Sequence, residues 1–536
     1  MQLNKKLEDL RILSRARFEE CPKTRIMATI GPACFYPEQN VNHVRDMVLA
    51  GMNILRINCA HVRTPKDKER VRKLISTIDE VVRETQDPIV VTVDLAGPKI
   101  RVGALQDKKP EGNQACIAFR SNDVLTLTLD PKFGVDEGTF GQKHTKISLG
   151  TDGTAFALEA VKKGQAVSMD DGCFRLVVKK VAGPEIICRA LNDWTLLPNK
   201  GVNFPGCAIT ASALTEKDHN DLDWLFARKC GVARDAVHYV SLSFVKSPAD
   251  VELLKNLLNT RYGQKSVRVI SKIETAEAVT RNADDYPAFR RILDVSDAIM
   301  VARGDLGAEV PFEDVPEIQR DLIGMTHEAQ KPVIVATQML EFMVEHEFAT
   351  RAEVTDVTNA ILEGADVTML SAETSKGRNP LAAVRMMCTI AKRASQRVPV
   401  IREPLGGPTF VSSKIFNAMA HPAVEFAEKL GAKLIVAFTH SGHTPIAIAH
   451  YRPSQPIIAI TYNVDTVLRL SLYRGIYPVH INQVPRNPAD HRDICKRVIE
   501  EKLQLTEAGD LSVVAMSMDT GAEDERMTNT LYVLPH

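Results

Sequence analysis

The chain has 536 residues, 44% of them hydrophobic, which is enough for about two to four globular domains with full-sized cores. Lys plus Arg and Asp plus Glu both total 67, so no overall electric field favours nucleic acid or an acidic membrane surface as a partner. The ten cysteines are scattered without a C-x-x-C pair, which argues against a disulfide framework or a thiolate zinc site and indicates a reducing cytoplasm.

The first 22 residues predict a short docking helix. Leu3, Leu7 and Leu10 share one helical face, and the mixture of acids and bases around them argues against a signal or transit peptide. Farther along the chain, no apolar run approaches the ~20 residues that span a bilayer. We therefore expect a soluble, cytoplasmic protein without a membrane partner.

Eight short β-branched runs follow, each separated from the next by a helical pattern or, once, by a long insertion. The runs are TRIMATI, NILRINC, IVVTVDL, HYVSLSF, VRVISKI, AIMVARG, VIVATQM and VTMLSAE. Near-continuous apolar strands that alternate with helices indicate a parallel sheet covered on both faces, and eight such units predict a closed (β/α)8 barrel. This TIM barrel is predicted to comprise residues 23–103 and 201–395, with its chemistry at the C-terminal ends of the strands.

The insertion, residues 104–200, has a different residue pattern from the barrel segments. DVLTLTLD and FRLVVKKV alternate apolar and polar residues, and Asp171-Gly172 is a hairpin-type turn signal. The pattern predicts a small all-β domain. Because the chain would enter and leave it at the active-site face of the barrel, we expect this domain to act as a lid.

Residues 396–536 form the last predicted domain. A helical stretch, AVEFAEKL, precedes strands that are separated by further helical patterns. The strands are KLIVAFT, PIIAITY, YPVHIN, LSVVAMS and LYVLP. This alternation predicts an open α/β domain, so the whole chain is predicted to be an α/β protein in which the barrel carries a β lid and a C-terminal α/β domain.

Polar residues finish the predicted barrel strands, and cations, carboxylates and hydroxyls dominate the set. Its members are Thr29, Arg56, Asn58, Asp94, Ser243, Lys272, Glu274, Arg303, Asp305, Thr337, Ser371 and Glu373. Lys272 and Glu274 lie two apart on one strand, so both point to the same face. Glu274 and Asp305 offer hard oxygen ligands that suit Mg²⁺, while Lys272 can neutralise charge on a transferring phosphoryl group. The set predicts phosphoryl transfer; ordinary ion pairs on a barrel rim are the alternative for any single residue.

Two glycines, Gly304 and Gly307, surround Asp305 in MVARGDLGAEVP, where a helix should begin. Exposed N–H groups at such a turn can hold a substrate carboxylate or phosphate. A plain tight turn is the commoner explanation for two glycines, so this segment alone is a weak signal.

Nine ordered segments carry a resemblance to a known family. They are TIGPA, GMNILRIN with His61, GPKIR, NKGVNFPG, SKIE, IMVARGDLG, KPVIVATQML, TRAEVTDVTNAILEGAD and MLSAETSKG. In this order, from about Thr24 to the C-terminus, the chain resembles the pyruvate kinase family. The resemblance implies a glycolytic transferase, a homotetramer in that family, which moves the phosphoryl group of phosphoenolpyruvate to ADP with Mg²⁺, or Mn²⁺ in its place, and yields pyruvate and ATP.

The resemblance also implies roles for the phosphoryl-transfer residues. Lys272 would stabilise the moving phosphoryl group, Glu274 and Asp305 would hold Mg²⁺, and Arg56 would touch the phosphate. The turn at Gly304 and Asp305 would take the substrate carboxylate.

Further residues acquire roles by the same resemblance. Thr337, with Ser371 behind it, would belong to the proton path that converts the enolate to pyruvate. The residues that would face the nucleotide are Asn58, His61, Arg101 and Lys200.

Two segments depart from the family pattern. NCAHV and DLAGPK stand where typical members have Asn-Phe-Ser-His-Gly and Asp-Thr-Lys-Gly-Pro-Glu, so Ala60 and Leu95 replace two of the four oxygens that bind K⁺ in those members. The family's glutamate is Lys99 here, and members with this change are typically K⁺-independent. We expect that K⁺ is not required, because Lys99 substitutes for it with Asp94 as a possible partner.

The segment THSGHT, followed by Pro445 at the predicted first helical position, has the hydroxyls and helix start of a phosphate pocket. Its candidate effector residues are Thr439, Ser441, Gly442 and Thr444. Typical sugar-bisphosphate-responsive members carry Lys and Arg where this chain has His440 and His443, which are mostly neutral at pH 7. The later loop MDTGAEDERM is acidic where those members place Trp and Arg. A doubly phosphorylated sugar should therefore bind poorly, and another phosphorylated effector stays open.

Three functions stay open from the sequence. The first is an active, Mg²⁺-dependent and K⁺-independent pyruvate kinase. The second is a catalytically silent paralogue that binds nucleotide or regulates a true pyruvate kinase. The third is another Mg²⁺-enolate enzyme, such as a lyase on the same barrel, against which GPKIR and the lid speak.

Overall fold

A computed structural model describes most of the chain. The described residues are 22–34, 40–85, 88–103, 105, 116–129, 134–137, 144–151, 160–170, 172–207, 212–227, 236–283, 285–401, 411–485, 488–516 and 530–536. The predicted N-terminal helix, Asp171 and the loop MDTGAEDERM lie outside them. Within the described part of the chain, no helix combines the length and the apolar character that crossing a bilayer requires.

Eight parallel strands close into a barrel, with the last strand paired to the first. The strands are β1 (Arg25–Thr29), β2 (Ile54–Asn58), β3 (Val90–Asp94), β4 (Tyr239–Leu242), β5 (Arg268–Ile273), β6 (Ala298–Ala302), β7 (Val333–Ala336) and β8 (Val367–Leu370). Their side chains are almost all buried, as a sheet covered on both faces requires. The predicted barrel and all eight predicted strands are confirmed.

Helices cover the outside of the barrel, and short ones follow the C-terminal ends of its strands. The covering helices are Asn40–Leu49, Pro65–Thr85, Glu216–Phe226, Pro248–Leu257, Pro287–Val295, Val315–Glu328, Arg351–Glu363 and Pro380–Ser395. Capping residues mark where several of these helices begin; Thr350, for example, forms a capping box with Glu353. The short helices Arg303–Glu309 and Ala372–Ser375 directly follow β6 and β8, where the predicted site residues lie.

The insertion is an all-β domain, as predicted. Its strands are Ile100–Val102, Ile117–Phe119, Val124–Thr128, Gly134–Glu137, His144–Thr151, Ala166–Met169, Phe174–Ala182, Glu185–Ala190, Trp194–Leu196 and Val202–Asn203. The first and last of these strands lie outside the predicted bounds 104–200. The physical reason is burial, since Ile100, Val102 and Val202 pack into the core of this domain rather than into the barrel.

The C-terminal domain is an open five-stranded sheet with helices on its faces. In sheet order the strands are Ile476–His480, Ile457–Thr461, Leu434–Phe438, Leu511–Met516 and Thr530–Pro535, of which the last is antiparallel to its neighbour. The described helices are Val411–Lys429, His443–His450, Val464–Leu470 and Pro488–Lys496. This domain meets the barrel at the N-terminal ends of the strands, where Arg474 N donates to Asp366 Oδ1 at 2.9 Å.

Candidate active site

Four charged side chains meet at the C-terminal end of the barrel, and each is at most 9% exposed. Lys272 Nζ lies 3.0 Å from Glu274 Oε1 and 3.3 Å from Asp94 Oδ1. Arg56 Nε donates to Asp94 Oδ2 at 2.7 Å, and its Nη1 donates to Thr29 Oγ1 at 2.7 Å. The ends of β2, β3 and β5 thus bring two cations and two carboxylates into one buried cluster, to which β1 adds Thr29.

Electrostatics fixes the charge states of this cluster. Burial alone would lower the pKa of Lys272, but the carboxylates of Asp94 and Glu274 outweigh it and raise that pKa above its usual range. Burial would raise the pKa of Asp94, yet Arg56 and Lys272 hold it below its usual value. Lys272 is therefore a permanent cation, with a partner on each side.

Glu274 differs from Asp94 because burial dominates. Burial raises the pKa of Glu274, the charge of Lys272 lowers it, and the nearby Asp305 raises it further. Phe244 N donates to Glu274 Oε2 at 2.8 Å, whereas Glu274 Oε1 has an ion pair with Lys272 but no aligned hydrogen bond among the described residues. This oxygen is a carboxylate site that a further cation would satisfy.

Lys99 forms its ion pair with Asp305, not with Asp94. Lys99 Nζ donates to Asp305 Oδ1, and the two side chains are 15% and 23% exposed. The predicted pairing with Asp94 is wrong for a physical reason, since Arg56 and Lys272 already neutralise that carboxylate. Burial would raise the pKa of Asp305, but Lys99 and then Lys272 lower it, so Asp305 is ionised.

The stem of Lys99 runs across Gly201, where the chain returns from the lid. A Cβ atom at Gly201 would lie 2.4 Å from Lys99 Cε and 3.1 Å from its Nζ. Gly201, the first of the two glycines in NKGVNFPG, therefore leaves room for the Lys99 ammonium group beside Asp305.

Thr337 lies just past β7 in a left-handed conformation, with φ of 70°. Its Oγ1 accepts a hydrogen bond from Gly304 N at 2.8 Å and donates to Ala336 O at 2.6 Å. Ser371 directly follows β8, and its backbone N donates to Glu373 Oε2 at 2.7 Å. Among the described residues, Thr337 and Ser371 share no hydrogen bond, so the predicted relay between them would need an intervening group.

The predicted nucleotide residues lie on the barrel rim and on the lid. Asn58 caps the short 3-10 helix Cys59–His61 by accepting Ala60 N at 3.0 Å. Desolvation and the positive charges of Arg56 and Arg101 lower the pKa of His61, which is therefore neutral.

Two of these nucleotide residues belong to the lid side of the cleft. Arg101 Nη1 donates to Asn199 O at 3.0 Å, and Lys200 Nζ lies 2.7 Å from Asp170 Oδ1. Strand Ile100–Val102 belongs to the lid sheet, and Arg101 pairs with Gly201, so Arg101 and Lys200 are attached to the lid rather than to the barrel wall.

The candidate effector segment, Thr439 to Thr444, begins directly after strand Leu434–Phe438. Gly442 has a φ of +92°, and its N donates to Thr439 Oγ1 at 2.8 Å. The helix begins at His443, so Pro445 is its third residue, and the prediction that Pro445 is the first residue is wrong. Proline is tolerated at the third position as well as at the first, because the N–H groups of the first turn have no acceptor within the helix. Thr444 is buried in the same turn.

One cation near this segment is absent from the sequence prediction. Arg469 Nη1 donates to Ser441 O at 3.0 Å, while Ser441 Oγ shares a hydrogen bond of 2.8 Å with His443 Nδ1. Burial and the charge of Arg469 lower the pKa of His443, which is neutral. No sequence signal identifies Arg469, because it comes from the following helix, Val464–Leu470.

Ser243 and Phe244 are site residues to which sequence reasoning assigned no role. Lys272 Nζ donates to Ser243 Oγ at 2.8 Å, and Phe244, at a φ of +55°, directs its N–H at Glu274. Their only sequence signal is their position at the end of β4.

The carboxylate pair of Glu274 and Asp305 fits a magnesium ion. Among the described residues, no group of three or more His, Cys, Asp or Glu side chains is placed to hold a metal. A hard cation that keeps several waters needs only one or two protein carboxylates. The mutually repelling charges of the buried Glu274 and the partly exposed Asp305 are those that such an ion would stabilise.

Known proteins are similar to this chain in both fold and sequence. The family model "Pyruvate kinase, barrel domain" matches residues 21–384, and "Pyruvate kinase, alpha/beta domain" matches residues 417–534. The pyruvate kinase of Thermotoga maritima is 34% identical over 95% of this chain and 99% of its own length. That of Mycobacterium tuberculosis is 35% identical over 95% and 97%. A crystal structure of a pyruvate kinase from Cryptosporidium parvum has a TM-score of 0.78 and 29% identity, and covers 96% of each chain.

Proposed function

The chain belongs to the pyruvate kinase family, and we propose that its strand-end cluster transfers the phosphoryl group of phosphoenolpyruvate to ADP, giving pyruvate and ATP in glycolysis. The observation that carries this proposal is Lys272, a buried ammonium group held between Asp94 and Glu274. These two carboxylates raise the pKa of Lys272 against the effect of burial, so the group stays charged. A cation fixed in this way stabilises charge on a phosphoryl group in flight without reorganising. Arg56, fixed by Asp94 and Thr29, adds a second donor for the phosphate.

Glu274 and Asp305 would hold Mg²⁺, for which Mn²⁺, another oxygen-seeking cation, could substitute. When bound, the ion supplies charge neutralisation to the oxygens of the substrate. The residues of the chain do the remaining work: the turn at Gly304 and Asp305 takes the substrate carboxylate, and Lys272 faces the phosphate.

Thr337 belongs to the step that protonates C3 of the enolate. Its hydroxyl lies against Gly304 N, beside the carboxylate subsite, at a hydrogen-bonding distance of 2.8 Å. A threonine hydroxyl is too weak an acid to donate alone at neutral pH, so a water or a relay past Ser371 delivers the proton.

Lys99 takes the place of K⁺. Its ammonium group is fixed on Asp305, and the buried Leu95 and the half-buried Ala60 stand where hydroxyl or other oxygen ligands would be needed. Ala60 and Leu95 offer no oxygen ligands to K⁺ here, whereas the ammonium group of Lys99 supplies a positive charge from the chain itself. Turnover should therefore be independent of K⁺.

Asn58, His61, Arg101 and Lys200 bind ADP and ATP. The first two lie on the rim and the other two on the lid side, so lid closure would complete the nucleotide site. Lys200 would then exchange Asp170 for a phosphate oxygen.

The protein is a cytoplasmic homotetramer in this proposal. The described cysteines are all free, which suits a reducing compartment. Phe312, Phe342 and Phe348 are exposed on the barrel, and large exposed aromatic side chains suit contact with a second copy. Light scattering should give four times the chain mass of 59.2 kDa.

A coupled assay for pyruvate tests the proposed function. With phosphoenolpyruvate, ADP and Mg²⁺, the wild type should turn over, and Lys272→Met should lower kcat by about a thousandfold or more. Lys255→Met is the matched control, because Lys255 pairs with Asp297 at 2.9 Å on an outer helix. A wild type that binds ADP but forms no pyruvate would instead identify the silent paralogue, which no observation on this site favours.

A further inference from the structure

Two consecutive residues after β7 occupy the left-handed region. Thr337 has a φ of 70° and Gln338 a φ of 52°, and neither is glycine. Such backbone is unfavourable for residues with a side chain and persists only where its surroundings impose it. The conformation matters because it turns the Thr337 hydroxyl toward Gly304.

The guanidinium group of Arg303 donates hydrogen bonds to both carbonyl groups of this turn. Its Nη2 donates to Thr337 O at 2.7 Å and to Gln338 O at 3.1 Å, and its Nε donates to Thr337 O at 3.3 Å. Asp356 Oδ1 accepts a hydrogen bond from the remaining nitrogen, Nη1, at 2.8 Å. Arg303 is 7% exposed, so its planar set of donors is fixed in place by these partners.

We propose that Arg303 is the positioning residue for the protonation step. It does not face the substrate; it holds the two left-handed peptide groups and thereby aims the Thr337 hydroxyl, while Asp356 holds Arg303. The inference rests on the proposed role of Thr337. It adds that the proton step, rather than phosphoryl transfer, depends on the ion pair between Arg303 and Asp356, which does not contact the substrate.

Geometry explains why the effect should be selective. Lys272 and Glu274 come from β5 and make none of the contacts of Arg303. Loss of the guanidinium group would leave the cluster around Lys272 intact and let Thr337 rotate away. A displacement of about 1 Å at a reacting group can cost about 100-fold in rate.

The test separates proton transfer from the complete reaction. Exchange of solvent deuterium into the methyl group of pyruvate, followed by NMR in the presence of Mg²⁺ and ATP, reports C3 deprotonation, the reverse of the proposed step. Arg303→Met should lower this exchange and kcat by about 100-fold, and Arg303→Lys, which keeps the charge but not the fork, by about tenfold. The KM for phosphoenolpyruvate should stay at the wild-type value, and Arg303→Lys should still unfold in one cooperative thermal transition, although at a somewhat lower temperature because buried hydrogen bonds are lost. Arg281→Gln, which removes an exposed pair with Glu317, is the control.

Each outcome decides between the two proposals. Wild-type exchange rates in the Arg303 variants, or a rise in KM that parallels the loss of kcat, would overturn the positioning role. If Thr337→Ala exchanges as fast as the wild type, the proposed proton path itself fails, and the inference fails with it. Should Arg303→Met not fold, Arg303→Lys and Asp356→Asn carry the test, because both keep the volume of the site.

Discussion

Replacing Lys99 by Met tests the built-in cation most directly. The substitution keeps most of the apolar stem but removes the ammonium group that neutralises Asp305. Since Lys99 is the largest influence lowering the pKa of Asp305 after the opposing effect of burial, that pKa should rise in the variant. The acidic limb of the pH–rate profile should move to higher pH, because Asp305 must be ionised to serve as a ligand.

The magnitude follows from the geometry of the pair. Two unit charges ~3 Å apart attract by about 5 kcal/mol at an effective dielectric constant of about 20. The side chains are 15% and 23% exposed, so hydration of the freed Asp305 returns part of this energy. We therefore expect the variant to lose about 2 kcal/mol of stabilisation at Asp305, a value between those measured for exposed and for buried ion pairs. If the transition state feels the whole loss, kcat/KM falls about 30-fold.

The assay measures initial rates with K⁺ replaced by an inert organic cation at constant ionic strength. Wild-type turnover should not respond to K⁺, and Lys99→Met should be slow in both media. The variant that combines Lys99→Glu, Ala60→Ser and Leu95→Thr should require K⁺. Lys146→Met, which removes an ion pair with Glu185 on the lid, is the control. Clear stimulation of the wild type by K⁺, or full activity of Lys99→Met without it, would refute the reasoning.

Three further predictions concern other parts of the chain. Gly201→Ala places a Cβ atom 2.4 Å from Lys99 Cε and should displace the ammonium group, giving a milder loss of kcat/KM than Lys99→Met in the same assay. His238, whose pKa burial lowers to about 4, stays neutral in the folded state, while an unfolded histidine takes up a proton below its usual pKa of about 6.5. The contribution of His238 to the free energy of unfolding, taken as the difference between the wild type and His238→Gln in urea titrations, should therefore fall by about 2 kcal/mol between pH 7 and pH 5. Fructose bisphosphate at micromolar levels should not activate the enzyme, because the neutral His443 adds no charge to that of Arg469, the single cation near Ser441 among the described residues. Activation that Ser441→Ala abolishes would contradict this.

The barrel was predictable because its strands are short, β-branched and fully buried, and because helical patterns separate them. The boundary of the lid was not predictable to the residue. Ile100 and Val102 are apolar and β-branched, and such residues suit the end of a barrel region as well as the first strand of a β domain. Only the packing decides, and in the structure both side chains lie in the lid core.

The residue types of the site were predictable, but their pairing was not. A sequence shows that Lys99 follows Asp94 closely, yet it does not show that Arg56 and Lys272 already satisfy that carboxylate. The partner of Lys99 is therefore a residue 206 positions away in sequence, Asp305. Left-handed residues such as Thr337 and Phe244 also leave no sequence signal, because neither is glycine or asparagine.

One short helix, Arg303–Glu309, links these features. Its first residues carry the guanidinium group that holds the Thr337 turn, the amide that meets the Thr337 hydroxyl, and the carboxylate that pairs with Lys99. Its C-terminal end is held by the lid, since Asn203 Nδ2 donates to Glu309 Oε1 at 2.8 Å and Ser168 Oγ donates to Ala308 O at 3.1 Å. In the proposed mechanism, the position of the lid would act on the same seven-residue helix that carries the proposed metal ligand Asp305 and that holds the Thr337 turn. Because a helix this short moves as a unit, closure of the lid over the nucleotide and alignment of the protonation step should be one event rather than two.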